Sequence, residues 1–334
     1  FIGEMSLFSE DGRHTASVRA RTALQLLELS PEDLGGLLYR QPKFVYEMMR
    51  VISQRLDESE NITIQELRQK NIELTRAYEE LKAAQVDIIE KEKLEKELEV
   101  ARRIQQSILP QEFPQCPRLE FGACIVPMAA VGGDFYDFIA LDDDKFGIAI
   151  GDVTDHGVPA ALFMALTATL LRVEARRTGS PKDVLEEVNR LLLGMNEAGM
   201  FVTLLYGILD CKKNSFHYAR AGHELPIVMN PHGKWDDVGQ AVGQPLGLFD
   251  ELLIDEQTLD LPSDSLLVLY TDGVPNALDK QNQMFGLENF LAAISDVKNQ
   301  PAQELCTQVL ESMDAFRGEE DPYDDVTLVA VKIR

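Results

Sequence analysis

Ile64, Leu67, Asn71, Leu74, Tyr78, Leu81, Gln85 and Ile88 recur at alternating steps of three and four, with charged residues filling the positions between them. A helix brings such positions onto one seam, which a strand of period two does not. This is the strongest constraint in the chain: it demands a long helix whose apolar edge is covered by another helix, and it predicts a parallel dimer. Leu94, Leu98, Ala101, Gln105 and Ile108 continue the rule, but Ile88 to Leu94 is a step of six residues where the rule asks for seven. The seam slips there by one residue, a local change of supercoil suited to a signal that alters helix phase. The other reading is a lone charged helix with a solvated face, to which the Asn and Gln seam positions lend weight. Pro110 and Pro114 end the helix. A coiled-coil linker is therefore expected over residues 57–110, forming a homodimer through 64–108.

Ahead of the seam, residues 1–30 alternate like short strands, with turn chemistry at Ser9 to Gly12, and Ser30 with Pro31 opens a helix. Phe1-Ile2-Gly3-Glu4 and the run TASVRARTA resemble the second half of a cyclic-nucleotide-binding domain of the catabolite-activator type, over residues 1–56. The resemblance implies a partial β-roll with Glu4 at a ribose. Where that family carries a phosphate-gripping arginine, this chain has His14, with Arg13 one place early. Loss of a bidentate guanidinium weakens anion binding, so a structural remnant stands beside nucleotide sensing as a reading. Because the chain opens in mid-pattern, it is expected to be a piece of a longer protein.

The formal charge is -24, and beyond residue 110 acidic side chains outnumber basic ones more than two to one. Such a surface repels nucleic-acid phosphates and suits divalent cations. Four cysteines, Cys116, Cys124, Cys211 and Cys306, form no CxxC pair, which points away from a zinc site or a disulfide framework and toward a reducing, cytoplasmic setting. No apolar run is read as a membrane span.

Residues 111–334 alternate strand-like runs with helical ones. KFGIAIGD, FVTLLYGILD, SFHYARAGH, SLLVLYTDG and DVTLVAVKI read as strands, and 158–177, 181–196, 287–297 and 301–316 as helices. The short turn at Lys212 to Asn214 favours an antiparallel sheet, with helices covering its faces in a layered α+β domain. In IGDVTDHGVPAALFMA, Asp152 closes an apolar strand just before a helix. One reading is an ordinary connection in which Asp155 caps the helix; the other is a functional carboxylate. Further acids recur in the same setting: Asp134 after Gly132-Gly133, Asp272 after the apolar run 266–270, and Asp324-Asp325 before the last strand. Glycines beside them leave room for a ligand. Carboxylates gathered at one sheet edge repel one another unless a cation sits among them, and hard oxygen donors select Mg²⁺ or Mn²⁺.

EVARRIQQSILP, VGGDFYDF, IGDVTDHGVPAALFMA, MFVTLLYGILD, YARAGHELPIV, VLYTDGVPNALD and DDVTLVAV occur in the order seen in bacterial serine phosphatases of the SpoIIE/RsbU type. The chain resembles that branch of the metal-dependent protein phosphatase 2C superfamily from about residue 97 to the end. The resemblance implies an α-β-β-α sandwich over 111–334 with two Mn²⁺ or Mg²⁺ ions. Carried over residue by residue, it implies metal ligands at Asp134, Asp152, Asp272 and Asp324 and at the backbone carbonyl of Val153, with Asp152 bridging both ions at the catalytic centre. Asp325 is assigned a supporting role. Many members have Gly where this chain has Asp155. His156 is read either as a phosphate contact or leaving-group acid or as a structural residue at the helix start, and His223 as a turn residue. The implied activity is hydrolysis of phosphoserine or phosphothreonine on a regulatory protein, a STAS-type anti-sigma-factor antagonist. A catalytically silent scaffold for such a partner, or a hydrolase of small phosphoesters, are the alternatives.

Overall fold

The computed structural model of the chain describes Ile2, Asp11, Arg13 and residues 17–240 and 242–334. It divides into two compact units, Phe1–Glu90 and Lys91–Arg334.

In the first unit, α1 (Pro31–Arg40) starts where the Ser30 hydroxyl oxygen accepts the Asp33 N–H at 3.1 Å. Next comes α2 (Pro42–Ile108), which runs unbroken for 67 residues and carries the seam across the boundary into the second unit. Ile64, Leu67, Leu74, Tyr78, Leu81 and Ile88 are exposed in the single chain. Residues 17–30 contain no strand, contrary to the alternation of the sequence. Period two specifies a strand only where a neighbouring strand supplies hydrogen bonds, and none pairs with these residues. Phe1, Gly3, Glu4, the turn residues Ser9, Glu10 and Gly12, and His14 lie outside the described residues.

The second unit is a sandwich. β1 (Leu119–Val126), β6 (Ile227–Met229), β8 (Leu266–Tyr270) and β9 (Val326–Ile333) form a four-stranded sheet in the order β1-β9-β8-β6. β2 (Phe135–Ala140), β3 (Lys145–Val153), β4 (Val202–Asp210), β5 (Ser215–Ala221) and β7 (Glu256–Asp260) form a five-stranded one, in chain order. Every strand pairing within them is antiparallel. Outer layers are α3 (Val158–Ala175) and α4 (Pro181–Leu193) on the five-stranded sheet, and α5 (Gly286–Val297) and α6 (Ala302–Arg317) on the other.

Both faces of the central strands are buried, which explains their unbroken apolar runs. In β3, Ile148 and Ile150 meet Leu267, Leu269 and Val329 in the core between the sheets, while Ala149 joins the core beneath α3 and α4. By length and composition α3 could cross a membrane, so the chain does contain one such apolar run. Ala160, Met164, Ala168 and Leu171 are nevertheless buried in the core against the sheet, as in the central helix of a globular unit.

The last turns of α2 belong to this unit. Leu98, Ala101, Gln105 and Ile108 are half-buried in the single chain, whereas Leu94 and the seam positions before the slip are exposed. Ile108 packs against the core under α3, and its carbonyl oxygen accepts from the Arg172 guanidinium. Arg172 also grips the Asp137 carboxylate of β2 through two N–H groups, one at 3.0 Å. The Asp137 side chain is only 2% exposed, and besides the Arg172 guanidinium its Oδ1 accepts the Phe138 N–H at 2.9 Å. Breaking a buried pair from one side strands the other charge. Arg172→Met is accordingly expected to lower stability by about 2–4 kcal/mol, read by urea unfolding. An Arg172→Met, Asp137→Leu double variant should recover part of that loss.

Candidate metal centre

Strand register brings the acids to one end of the sandwich. Phe135 pairs with Gly151, so Asp134, just before β2, lies beside Asp152 near the end of β3. In the other sheet Tyr270 pairs with Leu328, which sets Asp272, two residues past β8, near Asp324, two residues before β9. Two acids come from each sheet.

Asp134 is 2% exposed and bridges the sheets: its Oδ2 accepts the hydroxyls of Thr271 at 2.8 Å and Thr327 at 2.6 Å. Its Oδ1 is buried with no donor. Burial, and then the neighbouring Asp152 carboxylate, hold the Asp134 carboxyl well above the usual range. Asp152 is pushed up to about 7 by burial, with the charges of Asp324 and Asp272 adding to it. Asp324 is likewise raised, first by burial, while His156 acts in the opposite direction. Asn276 Nδ2 donates to Asp272 Oδ2 at 3.1 Å, fixing that carboxylate in its turn.

Asp325 points the other way and organises the backbone. Its Oδ1 accepts the Met128 N–H at 2.7 Å and its Oδ2 the Gly133 N–H at 2.6 Å, with Asp134 N–H at 3.3 Å. A Cβ at Gly132 would stand 2.2 Å from Asp325 Oδ2, and one at Gly133 would stand 2.7 Å from the Val153 carbonyl oxygen. Only glycines allow the loop to lie this close to both. The Val153 carbonyl therefore borders the loop that delivers Asp134.

Asp155 does not cap α3. Gly157 occupies the cap with no side-chain hydrogen bond, and Asp155 sits at φ 71 in the left-handed region. Such a conformation favours glycine, in keeping with the Gly found there in many members of the resembling family. His156 is exposed on the same connection. His223 is buried, with Nδ1 2.9 Å from the Thr203 hydroxyl, and burial drives its pKa down to about 3. It is a neutral packing residue joining β4 to the turn after β5. Glu224, on the turn after β5, is exposed, and its carboxyl is raised first by partial desolvation and then by the charge of Asp272.

Among the described residues, no three Asp, Glu, His or Cys side chains form a ready-made cluster about one point. The acids border one another through their fields and their shared scaffold. The donor set nonetheless fits a divalent cation. All its donors are hard oxygens, Asp134 Oδ1 is buried without a donor, and the carboxyls are raised by burial first and then by one another's charges, both of which a cation would offset.

The chain matches the family described as Stage II sporulation protein E (SpoIIE) over residues 142–334. It is 28% identical over 262 residues to Protein IcfG of Synechocystis sp., an alignment covering 70% of this chain and 41% of that protein. It is also 28% identical over 241 residues to the phosphoserine phosphatase RsbU of Bacillus subtilis, covering 72% and 71%. The chain thus spans about two fifths of the cyanobacterial relative's length. The solved RsbU and RsbW domains of Rv1364c from Mycobacterium tuberculosis match with a TM-score of 0.58 at 27% identity, covering 66% of this chain and 61% of that one. The SiaA-PP2C domain of Pseudomonas aeruginosa shares the fold with a TM-score of 0.66 at 22% identity, covering 73% and 98%.

Crowded carboxylates carry a stability signature. Asp152 has a folded pKa of about 7, above its ordinary 3.8, so folding favours its protonated form. That contribution is complete at low pH and fades as pH rises from about 4 to about 7. In chelator-treated protein, thermal stability should therefore fall across this window, and Asp152→Asn should flatten the fall and raise Tm at pH 7.5. Added Mn²⁺ should reverse the order, stabilising the parent chain more than the variant.

Proposed function

The chain belongs to the SpoIIE family, and from that premise we propose that it is a metal-dependent protein phosphatase acting on phosphoserine or phosphothreonine of a regulatory partner, a STAS-type anti-sigma-factor antagonist. The observation that carries the reading is the placing of Asp134, Asp152, Asp272 and Asp324, from both sheets, at one end of the sandwich within reach of one another's charges, with Asp134 Oδ1 buried and without a donor. Similarity to a named phosphoserine phosphatase, 28% identical over 72% of the chain, supports it.

In this reading Asp134, Asp152, Asp272, Asp324 and the Val153 carbonyl hold two Mn²⁺ or Mg²⁺ ions. Such a pair supplies an activated water for in-line attack on phosphorus and neutralises charge on the phosphoryl oxygens. The chain's own residues do the positioning. Thr271 and Thr327 hold one oxygen of Asp134 and leave the other for coordination. Asn276 orients Asp272, and Asp325 fixes the backbone that presents Asp134. His156, exposed and close enough for its charge to act on Asp324, contacts the phosphate or returns a proton to the departing serine oxygen.

Regulation in this proposal runs through residues 57–110, with residues 1–56 as the sensor and 111–334 as the catalytic segment of a cytoplasmic homodimer. The exposed apolar stripe Ile64 to Ile88 on an unbroken helix supports a paired partner helix.

Asp152→Asn and Asp272→Asn should each abolish Mn²⁺-dependent release of phosphate from a phosphoserine protein while circular dichroism stays native. EDTA should stop the parent chain, and Mn²⁺ should restore it. Wild-type turnover in either variant would remove the metal assignment, and faster release from small esters than from the protein would favour the small-molecule hydrolase. Inserting one residue between Ile88 and Leu94 should make the heptad continuous and lock the phosphatase rate high or low. A seven-residue insertion lengthens the rod by about 10 Å and should leave regulation intact. If both stay dimeric with unchanged rates, the linker is a passive tether.

A further inference from the structure

One side chain reaches from the linker helix to the loop that carries Asp134. Gln105, near the C-terminal end of α2, donates its Nε2 to the Gly132 carbonyl oxygen at 2.6 Å and accepts the Gly132 N–H on Oε1 at 3.2 Å. A single amide thus takes up both backbone groups of one residue, as a neighbouring strand would. The next two N–H groups, of Gly133 and Asp134, go to Asp325. Three consecutive peptide groups are therefore held, the first by the linker helix and the others by the sandwich.

The arrangement leaves the loop little freedom. Gly132 is closed in by Asp325 and Gly133 by the Val153 carbonyl, at distances where even a methyl group would clash. Asp134 follows immediately, with Oδ2 committed to two threonines and Oδ1 without a donor. A shift of Gly132 is passed to Asp134 through two peptide units that cannot move aside. Gln105 itself is set by the anchoring of α2 three residues later, where the Ile108 carbonyl accepts from Arg172. Along an α-helix one residue corresponds to about 1.5 Å of rise and about 100° of rotation. A helix displaced by one residue would carry the amide out of reach of both Gly132 groups together, because hydrogen bonds weaken steeply beyond about 3.2 Å.

We propose that Gln105 is a positioning residue for the candidate metal centre: by clamping the Gly132 backbone it sets Asp134 for coordination and ties cation affinity to the seating of the linker helix. This deepens the phosphatase reading and rests on it for the identity of the site. It gives the half-buried seam of Leu98, Ala101, Gln105 and Ile108 a task within the chain, distinct from pairing with a second copy. It also accounts for a polar glutamine on a stripe otherwise made of Leu, Ala and Ile.

The test compares the intact chain with Gln105→Leu, which keeps bulk and loses both bonds, and with Gln105→Glu, which keeps the acceptor for Gly132 N–H but turns a carboxylate toward its carbonyl. Gln106→Leu, at the exposed neighbouring position, is the control. Mn²⁺ affinity is measured by calorimetry, and amide hydrogen exchange is followed in the peptide spanning 129–138. Both Gln105 variants should bind Mn²⁺ about tenfold more weakly, with faster exchange at Gly132 and Tm within a few degrees of the parent, while Gln106→Leu matches the parent. Phosphate release, where present, should recover in the variants at raised Mn²⁺. Parental Mn²⁺ affinity in both folded Gln105 variants would overturn the proposal. Should one variant fail to fold, the other decides. If the parent binds Mn²⁺ but releases no phosphate from phosphoserine protein, the functional reading fails while the affinity comparison still judges Gln105.

Discussion

Everything at the candidate site depends on how Asp134 is held. A carboxylate buried between two sheets is costly unless its lone pairs are met, and here one oxygen is met by Thr271, just past β8, and by Thr327, within β9. This bond pair is also a link between layers, since Asp134 belongs to the five-stranded sheet and both threonines to the four-stranded one. The core of Ile148, Ile150, Leu267, Leu269 and Val329 between the sheets makes the link rigid, because a close-packed interior does not let one layer slide on the other. The remaining acids are gathered against their mutual repulsion at the end of this frame. The packing below supplies the stability from which that repulsion is subtracted.

Much of the frame was legible in the sequence because both faces of its central strands are buried. KFGIAIGD, FVTLLYGILD and DVTLVAVKI stand out as apolar runs, and they became β3, β4 and β9. Helices α3, α4, α5 and α6 appear within a few residues of where the apolar pattern puts them. What escaped is what packs on one side or lies at an edge. β7 alternates exposed and half-buried positions in EQTLD, β6 is three residues long, and β1 and β2 carry Cys, Gly and Asp among their apolar residues. Strand-like alternation over the described residues 17–30 had the opposite fate, since without a partner strand it leads to no sheet.

The site divides along the same line. The four acids were visible because each sits at the boundary of an apolar, strand-like run, a local feature. Of their supports Asp325 was named, whereas the threonines and Gln105 were not visible, because Thr327 lies 193 residues from Asp134 and Gln105 lies 27 from Gly132. The capping role considered for Asp155 failed for a reason no spacing reveals, namely a backbone already turned to φ 71 before the helix begins. The slip in the heptad was legible, but its neighbourhood was not. The stripe beyond Leu94 looks like more of the same seam, yet it is half-buried within its own unit.

Gly132 and Gly133 bear no functional group, yet each fills a space in which a methyl group would overlap the Asp325 carboxylate or the Val153 carbonyl. Tolerance to substitution at these two positions is therefore set by the acids around them. In a survey of variants scored by activity, both glycines would fall among the least replaceable residues and would be indistinguishable from ligands. A chain carrying alanine there could keep its strands, helices and every carboxylate and still have lost the centre. In such a site, a list of chemical groups understates the machinery, because part of it is the room left for the groups to meet.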